Sequence, residues 1–322
     1  MAVTSYGEAA CRAVQDAMRV DLRVVVLGED VGRGGIFGQY RGLQQEFGAA
    51  RVIDTPISES TIMGAAVGMA LAGLKPVAEM RVVDFALCAA DELVNQAAKA
   101  RYMFGGQGRV PLVARLPMGI WTGSAAQHSQ SLEAWFAHIP GLVVVAPATP
   151  QDNYSLLLAS LACGDPVVYM EHKELWGLQG EVDTAVSATL GKACIARAGS
   201  DVTLVTWSRA LHGALAAAED AAKQGVSAEV IDLRTIWPWD RETVLNSAAK
   251  TRRLLVLHEA VQAAGFGAEI AATVAETLGV RVKRLGGPRI PVGYARTLED
   301  EARIPDGRIL DALVNFDKGG SK

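Results

Sequence analysis

Asp54-Thr55-Pro56-Ile57-Ser58-Glu59 connects a predicted strand to a predicted helix. The strand is Arg51-Val52-Ile53-Asp54, Pro56 stops it, and Ser58 is a natural N-cap for a helix from Glu59 to Leu71. A carboxylate in the first helical turn either complements the helix dipole or serves a ligand. The neighbouring side chains are small or apolar, so we expect desolvation to favour the protonated carboxyl that a proton donor requires.

The rest of the chain alternates short β-branched runs with Ala- and Leu-rich amphipathic segments, a pattern typical of a parallel sheet covered by helices. Further strands are predicted at 24–27, 76–79, 111–114, 142–145 and 166–169, and again at 202–205, 228–233, 254–258 and 280–285. Helices are predicted from a capping box of Ser5 and Glu8, and at 84–104, 151–163, 211–224, 241–250 and 267–278. The sequence therefore predicts an α/β protein of two three-layer α/β/α domains with mostly parallel sheets, residues 1–190 and 191–322, with 172–199 as the connecting region.

Composition excludes several classes of function. The 322 residues are 50% hydrophobic and 20% charged, which supports a large core, and the net charge of -4 comes without a basic stripe for nucleic acid. The chain has no apolar run of about 18 residues and no leader pattern, so we expect a cytoplasmic protein that does not span a membrane. The cysteines are widely separated, and we expect buried thiols at Cys11, Cys88, Cys163 and Cys194.

A glycine-bearing segment at 28–38 follows the first long strand. Its spacing does not fit GxGxxG, and no GxxxxGK[ST] occurs in the chain, which argues against a nucleotide-binding loop. A mobile loop at the carboxyl edge of the sheet is expected instead, where open α/β sheets bind ligands. Glu29 is then either a second acid near the site or a solvated loop carboxylate.

Two more residues are candidates for the site. Phe85 follows the strand that ends at Glu79, and it is either a core residue or an aromatic surface for a ligand. His128 lies in the polar loop 122–131, between small residues that leave it accessible. A histidine there is either merely solvated or able to hold a substrate carboxylate and transfer a proton.

These segments together resemble the beta subunits of thiamine-diphosphate-dependent 2-oxo acid dehydrogenases, which include the pyruvate, branched-chain and acetoin enzymes. The resemblance spans nearly the whole chain and starts from the DTPxSE-type segment at Asp54. Further blocks follow in the family's order: Arg101-Tyr102-Met103-Phe104-Gly105-Gly106, Ala126-Gln127-His128-Ser129-Gln130-Ser131, His138-Ile139-Pro140-Gly141-Leu142, Asp232-Leu233-Arg234-Thr235 and Ile304-Pro305-Asp306.

The resemblance implies a transketolase-like pyrimidine-binding domain followed by a transketolase C-terminal-like domain. It implies that Glu59 protonates the pyrimidine ring of thiamine diphosphate, that Glu29, Ile57 and Phe85 also contact the cofactor, and that His128 acts at the substrate. It further implies a monovalent cation, with K⁺ as the candidate, held by backbone carbonyls at Leu112, Ser160, Leu161, Cys163 and Asp165.

The Gly-Asp-Gly segment that such enzymes use for Mg²⁺ and the diphosphate does not occur here, and Gly164-Asp165-Pro166 is the nearest candidate. We therefore expect an alpha subunit to hold Mg²⁺ and the diphosphate in an α2β2 heterotetramer. The acyl group from a 2-oxo acid would pass to a lipoyl acyltransferase partner.

Two alternatives stay open: an acetoin dehydrogenase beta subunit or related two-carbon transferase, and a catalytically inert scaffold subunit. His172-Lys173 is more similar to the acetoin members and His258-Glu259-Ala260 to the branched-chain members, and His258 itself is expected to face the active-site cleft or a subunit contact. Cys88 stands where pyruvate-type members carry Gln.

Overall fold

The computed structural model describes residues 2–317, which form two compact units. The first unit comprises residues 2–118 and 135–190, and the second comprises residues 119–134 and 191–317. The segment 119–134, which contains His128, falls inside the predicted first domain but packs with the second unit. Nowhere in residues 2–317 is a helix both long enough and apolar enough to cross a membrane.

The first unit is built on a parallel sheet, as the sequence predicted. Its strands are β1 (Ala2–Ser5), β2 (Val24–Gly28), β3 (Val52–Asp54), β4 (Lys75–Glu79), β5 (Val113–Arg115), β6 (Val143–Val145), β7 (Val167–Tyr169) and β8 (Gln179–Val182). Within this unit the sheet runs β6-β7-β5-β4-β2-β3 with parallel pairing throughout, while β1 and β8 form a separate antiparallel ribbon.

Alternate residues of a strand point to opposite faces of a sheet, and in this sheet both faces are buried. Val24 and Val26 of β2 belong to one hydrophobic cluster, and Val25 and Leu27, which point to the other face, are buried as well. The helices are α1 (Tyr6–Val20), α2 (Leu43–Phe47), α3 (Glu59–Leu71), α4 (Ala98–Met103) and α6 (Pro150–Ala162), with α5 (Glu133–Ala137) where the chain returns to the first unit. The predicted capping box is confirmed, since Ser5 and Glu8 bond each other's backbone N–H.

The predicted helix at 84–104 is confirmed in its extent, but it does not wind as one α-helix. The chain forms a 3-10 helix at Val83–Ala89, a π-helix at Glu92–Ala97 and an α-helix only at Ala98–Met103. Val83, Ala86 and Ala89 are the buried apolar positions of the first part. Their spacing of three residues matches the period of a 3-10 helix, so burial favours the tighter winding there.

The expectation of buried thiols is wrong. Cys88 is exposed, and Cys11, Cys163 and Cys194 are only half-buried. Cys88 belongs to the 3-10 helix, whose three-residue period turns it away from the core positions of that helix.

The second unit contains a second mostly parallel sheet. The strands of this unit are β9 (Cys194–Arg197), β10 (Val202–Thr206), β11 (Ala228–Asp232), β12 (Thr235–Trp237), β13 (Arg253–Val261) and β14 (Arg281–Gly287), and all of them except β12 form this sheet. The order is β14-β13-β10-β11-β9, and β9 alone of these five runs antiparallel to its neighbour. The helices are α7 (Ala210–Lys223), α8 (Arg241–Thr251), α9 (Gly267–Leu278), α10 (Arg296–Glu301) and α11 (Asp306–Val314).

The region 172–199, predicted as a connection without regular strands, contains β8 and β9. Each is an edge strand in antiparallel pairing, with several exposed side chains. Such half-exposed strands lack the continuous apolar runs that identified the buried parallel strands.

Candidate functional site

The first candidate site lies at the carboxyl ends of three neighbouring strands. β2 pairs in parallel with both β3 and β4, so the ends of all three meet at one edge of the sheet. Glu29 directly follows β2, Glu59 begins α3 shortly after β3, and Arg81 and Phe85 follow β4. Loops at this edge are the ordinary ligand-binding position of an open α/β sheet.

Glu29 and Glu59 form a pair of interacting carboxyl groups. Glu29 is 7% exposed, and burial raises its pKa, with the negative charge of Glu59 raising it further. Arg81 opposes this effect, because its Nη1 atom lies 3.8 Å from Glu29 Oε2. Glu59 itself is half-buried in the first turn of α3, where the prediction placed it. The edge of the sheet therefore holds two acids in different degrees of contact with water, one of which retains a proton to higher pH than a solvated carboxyl.

Ser58 occupies the N-cap position as predicted, but its side chain makes no capping bond. Its hydroxyl donates instead to Thr61 Oγ1 at 2.8 Å. The backbone N–H groups of the first turn are therefore not consumed by the Ser58 side chain.

Apolar side chains lie on the segments that follow β3 and β4 at this edge of the sheet. Ile57 is 73% exposed, Phe85 is half-buried, and the neighbouring Leu87 is 47% exposed. α3 packs against the segment 83–97, and Ser60 donates a hydrogen bond to Glu92 across that contact at 2.5 Å. The arrangement offers apolar and aromatic surface beside carboxyl groups, which suits a flat ring that carries a basic nitrogen.

Two connections hold the glycine-bearing loop over this edge. The Gly32 N–H donates to Asp54 Oδ1 at 2.7 Å. Asp54, the first residue of the segment 54–59, therefore helps to fix the loop. Further along, Gln39 Nε2 and the Tyr40 hydroxyl donate to the two oxygens of Glu79 at 3.0 and 2.5 Å. A Cβ on Gly28 would lie 2.8 Å from Glu79 Cβ, which explains the glycine at the end of β2.

Beneath the loop lies a buried ionic network that the sequence did not reveal. Arg115 is fully buried between Glu79, at 4.0 Å, and Glu171, at 2.6 Å, and Asn153 donates to Glu171 at 2.8 Å. Burial raises the pKa of Glu79 to about 7, Arg115 opposes the rise, and Glu171 adds to it. Glu79 and Arg115 are register partners on β4 and β5. The signal available in the sequence was a charged residue at the end of one predicted strand, Glu79, and another directly after the next, Arg115.

The residues expected around a monovalent cation gather at the carboxyl end of α6 and on the adjoining strands. The Leu112 carbonyl accepts the Val167 N–H at 2.8 Å, and the Ser160 carbonyl accepts the Cys163 N–H at 3.1 Å. Leu161 is buried in the same helix, and the Asp165 side chain pairs with Arg101 at 2.7 Å. A cation here would be held by second lone pairs of carbonyls that already accept hydrogen bonds.

The second candidate site surrounds His128 in the second unit. The His128 side chain is exposed. Its backbone N–H donates to the Ala125 carbonyl at 3.4 Å, in a turn where Ala125 has a φ of 57°. A cavity of about 550 Å³ lies beside this loop. Its walls combine loop residues with the end of β13 and the segment after β14, including Ser129, Ser131, Glu259, Arg289 and Ile290.

The expectation that His258 faces a cleft or a subunit contact is wrong. Its side chain is fully buried, stacks on Trp207 with ring centroids 5.2 Å apart, and lies 3.0 Å from the Ala260 carbonyl through Nδ1. Three glycines enclose the ring so closely that a Cβ on any of them would lie 2.6 to 2.8 Å from it: Gly265, Gly267 and Gly286. The missing signal was the glycines on the facing segments, which let the backbone close around the ring.

Comparison with known proteins agrees with this architecture. Residues 3–179 match the family described as transketolase, pyrimidine binding domain, and residues 191–309 match transketolase, C-terminal domain. The 2-oxoisovalerate dehydrogenase subunit beta of Bacillus subtilis is 43% identical, over 97% of this chain and 98% of that protein. The acetoin:2,6-dichlorophenolindophenol oxidoreductase subunit beta of Cupriavidus necator is 42% identical, over 96% of each chain.

A mitochondrial pyruvate dehydrogenase E1 component subunit beta-1 from Arabidopsis thaliana is 43% identical over 89% of this chain and 82% of its own. Among solved structures, a split-gene transketolase described as an inactive beta4 tetramer superposes with a TM-score of 0.81. It covers 96% of this chain and 97% of its own at 21% identity, and so supports the fold alone. The chain thus belongs to the transketolase-type family that contains the beta subunits of the 2-oxoisovalerate, pyruvate and acetoin enzymes.

Proposed function

We propose that this chain is the beta subunit of a thiamine-diphosphate-dependent 2-oxo acid dehydrogenase that is active only with an alpha subunit. The observation that carries the proposal is the Glu29 and Glu59 pair at the shared carboxyl edge of β2, β3 and β4. Two acids beside apolar and aromatic surface provide a proton to a ring nitrogen and a place for the ring.

The residues at this edge fit the pyrimidine half of thiamine diphosphate. Glu59 would hold a proton at the ring nitrogen, Phe85 and Ile57 would contact the ring faces, and Glu29 would be a second acid near the ring. When bound, the cofactor supplies the carbon nucleophile that makes decarboxylation of a 2-oxo acid possible. The role of the chain is to bind and orient the ring and to exclude water from the proton.

His128 is the proposed substrate residue. Its exposed imidazole can donate a hydrogen bond to a carboxylate or transfer a proton to an intermediate. An acyl group formed at the site would leave on a lipoyl group of an acyltransferase partner, which we propose as the acceptor.

The proposed alpha subunit would cover the apolar surface of the first unit and hold Mg²⁺ and the diphosphate in an α2β2 assembly. The surface is defined by large exposed side chains on and beside α3 and α4, namely Ile57, Leu71, Leu87, Tyr102, Met103 and Phe104. Tyr102 is 90% exposed and Met103 is 72% exposed, which is unusual for large apolar residues unless a partner covers them. We propose K⁺ at the Leu112, Ser160, Leu161, Cys163 and Asp165 carbonyls in that assembly.

The test uses the chain purified together with its alpha subunit. Glu59→Gln should abolish decarboxylation while leaving the assembly intact, because shape is kept and the ionisable proton is lost. Glu181→Gln, at an exposed acid of the same unit, is the matched control and should retain activity. Normal turnover by Glu59→Gln, or tight Mg²⁺-dependent cofactor binding by this chain alone in calorimetry, would contradict the proposal.

Acetoin cleavage is the second candidate function, because the acetoin-linked relative from Cupriavidus necator is nearly as similar as the 2-oxoisovalerate one. The same reconstituted enzyme should be assayed with pyruvate, with branched 2-oxo acids and with acetoin. A higher kcat/KM for either 2-oxo acid class supports the first proposal, and a higher value for acetoin supports the second.

A further inference from the structure

The loop that carries His128 is fastened at both of its ends to a single carboxylate. Glu259, on β13, accepts the Ile120 N–H at 2.9 Å and the Ser131 hydroxyl at 3.2 Å, both through Oε1. The two donors lie on opposite sides of His128 in sequence. One oxygen atom therefore closes the loop across its base.

Other contacts complete this closure. The Gly119 N–H donates to the Gln130 carbonyl at 2.9 Å, beside the Glu259 contacts. At the middle of the loop, the Gly123 N–H donates to Glu299 Oε2 at 3.3 Å, and Arg303 holds Glu299 at 3.4 Å. Just after the loop, Trp207 Nε1 donates to Glu133 Oε1 at 3.0 Å. Glu259 differs from these other acids because it alone spans the loop from one end to the other.

Glu259 stands where the loop adjoins open space. It is a wall of the cavity of about 550 Å³, together with Ser129, Ser131 and Ile290. A loop that borders a cavity lacks packing on that side, so the hydrogen bonds at its base contribute to fixing its conformation. A charged acceptor suits this role, since hydrogen bonds to ionised groups are stronger than neutral ones.

We propose that Glu259 is a positioning residue that acts through His128, by holding the base of the 119–131 loop closed. This inference rests on the proposed function, in which His128 meets the substrate. A displacement of about 1 Å at a catalytic side chain costs on the order of 10²-fold in rate. Glu259 thereby influences the reaction through the position of His128.

The test is a double-mutant cycle in the holoenzyme reconstituted with the alpha subunit. Glu259→Ala should lower kcat by about 10-fold to 10²-fold, and Glu259→Gln should restore most of it, since the amide oxygen still accepts both hydrogen bonds. In a His128→Ala background, Glu259→Ala should cause little further loss. Additive losses would show that Glu259 supports the enzyme independently of His128 and would overturn the proposal. Glu276→Ala, at an exposed acid of α9, is the control for loss of charge.

A second measurement separates this proposal from the proposed function. Hydrogen exchange at residues 119–131 should accelerate in Glu259→Ala and stay normal in Glu259→Gln, whatever the activity. Unchanged exchange in Glu259→Ala overturns the anchor. If exchange is faster in Glu259→Ala but His128→Ala keeps full activity, Glu259 does hold the loop, but the loop does not serve catalysis. That result overturns both the role of His128 and the positioning proposal.

Discussion

Two buried polar sites, one in each unit, are built in opposite ways. The first unit encloses a charged network, in which Arg115 lies between Glu79 and Glu171 and the Tyr40 hydroxyl donates to Glu79. The site in the second unit is the imidazole of His258, packed between Trp207 and three glycines, with the Ala260 backbone carbonyl 3.0 Å from Nδ1. The first arrangement balances charge against charge, and the second keeps a titratable group neutral by close packing.

The difference follows from what each group connects. In the first unit, Glu79 joins the glycine-bearing loop to β4, and Arg115 joins β4 to the chain after β7, so the charges fix the edge where Glu29 and Glu59 lie. His258 instead fills a space between β13, α9 and β14, where it makes contact with backbone rather than with other ions. We therefore expect the two cores to respond differently to the loss of a charge, to pH and to added volume.

The largest effect should come from Arg115→Met. The change leaves Glu79 and Glu171 buried without their shared cation, and removing one partner from a buried ion pair costs about 3–5 kcal/mol. Hydrogen exchange of peptides from β4, β5 and β7 should accelerate strongly, while peptides from β10 and β13 change much less. Arg19→Met, which removes an exposed pair with Glu46, is the control and should have little effect. Equal loss of protection in both units would contradict the independence of the two cores.

The next effect is the acid sensitivity of the second unit. Burial, with Arg284 adding to the effect, lowers the pKa of His258 to about 4 from an ordinary value of 6.5. The unfolded chain therefore binds a proton first, so this contribution to stability is complete above about pH 6.5 and declines as the pH falls toward 4. The total is about 3 kcal/mol, from roughly 1.4 kcal/mol for each pH unit.

Exchange protection of β13 and β14 measured between pH 7 and pH 4, after correction for intrinsic exchange rates, should show this decline. His258→Gln lacks a group that titrates in this range, so its profile should be flatter even though its stability at pH 7 is lower. A wild-type profile with the slope of the Gln variant would mean that His258 is not held neutral.

The local secondary structure around these sites was predictable from sequence, and the long-range contacts were not. The strands ending at Gly28, Asp54 and Glu79, and the position of Glu59 in a first helical turn, follow from short β-branched runs, Pro56 and the cap position of Ser58, and the structure confirms them. The link from Arg115 to Glu171 and the link from Glu259 to Ile120 join residues 56 and 139 positions apart. Such links depend on register and on loop paths that no local pattern encodes.

The same reasoning explains why the helix at 84–104 does not wind as one α-helix. Helical propensity along that segment is high, but the positions that meet the core recur every three residues at Val83, Ala86 and Ala89. In this first part, Val83–Ala89, tertiary packing outweighed propensity and favoured the tighter winding. The assignments of Glu29, Ile57, Glu59, Phe85 and His128 to ligand contacts stay predictions.

A methyl group added beside His258 should destabilise the core of the second unit by a smaller amount. In Gly267→Ala the new methyl group would lie 2.8 Å from the His258 ring and 3.0 Å from Val256 Cγ1, and overpacking of this kind costs about 1–3 kcal/mol. Gly307→Ala is the matched control, because its added Cβ meets nothing within 4 Å and a helical alanine is favoured over glycine. Protection of β13 should fall in the first variant and be unchanged or higher in the second. No loss in Gly267→Ala would show that the enclosure of His258 is loose.

The smallest effect at neutral pH should come from Glu79→Gln, and it tests the sign of the contrast. Burial raises the pKa of Glu79 to about 7, so the folded state binds this proton more tightly than the unfolded chain does. The stabilising contribution is complete below an ordinary carboxyl pKa of 4.5 and is lost as the pH rises through 7, which is opposite in direction to that of His258.

Glutamine can still accept the hydrogen bond from Tyr40, so the change at pH 7 should be about 1 kcal/mol. Protection of β4 and β5 should therefore decline between pH 5 and pH 8 in the unaltered chain and stay level in the variant. A decline that persists in Glu79→Gln would assign the proton to another member of the network, and no decline in either protein would show that Arg115 keeps Glu79 ionised throughout.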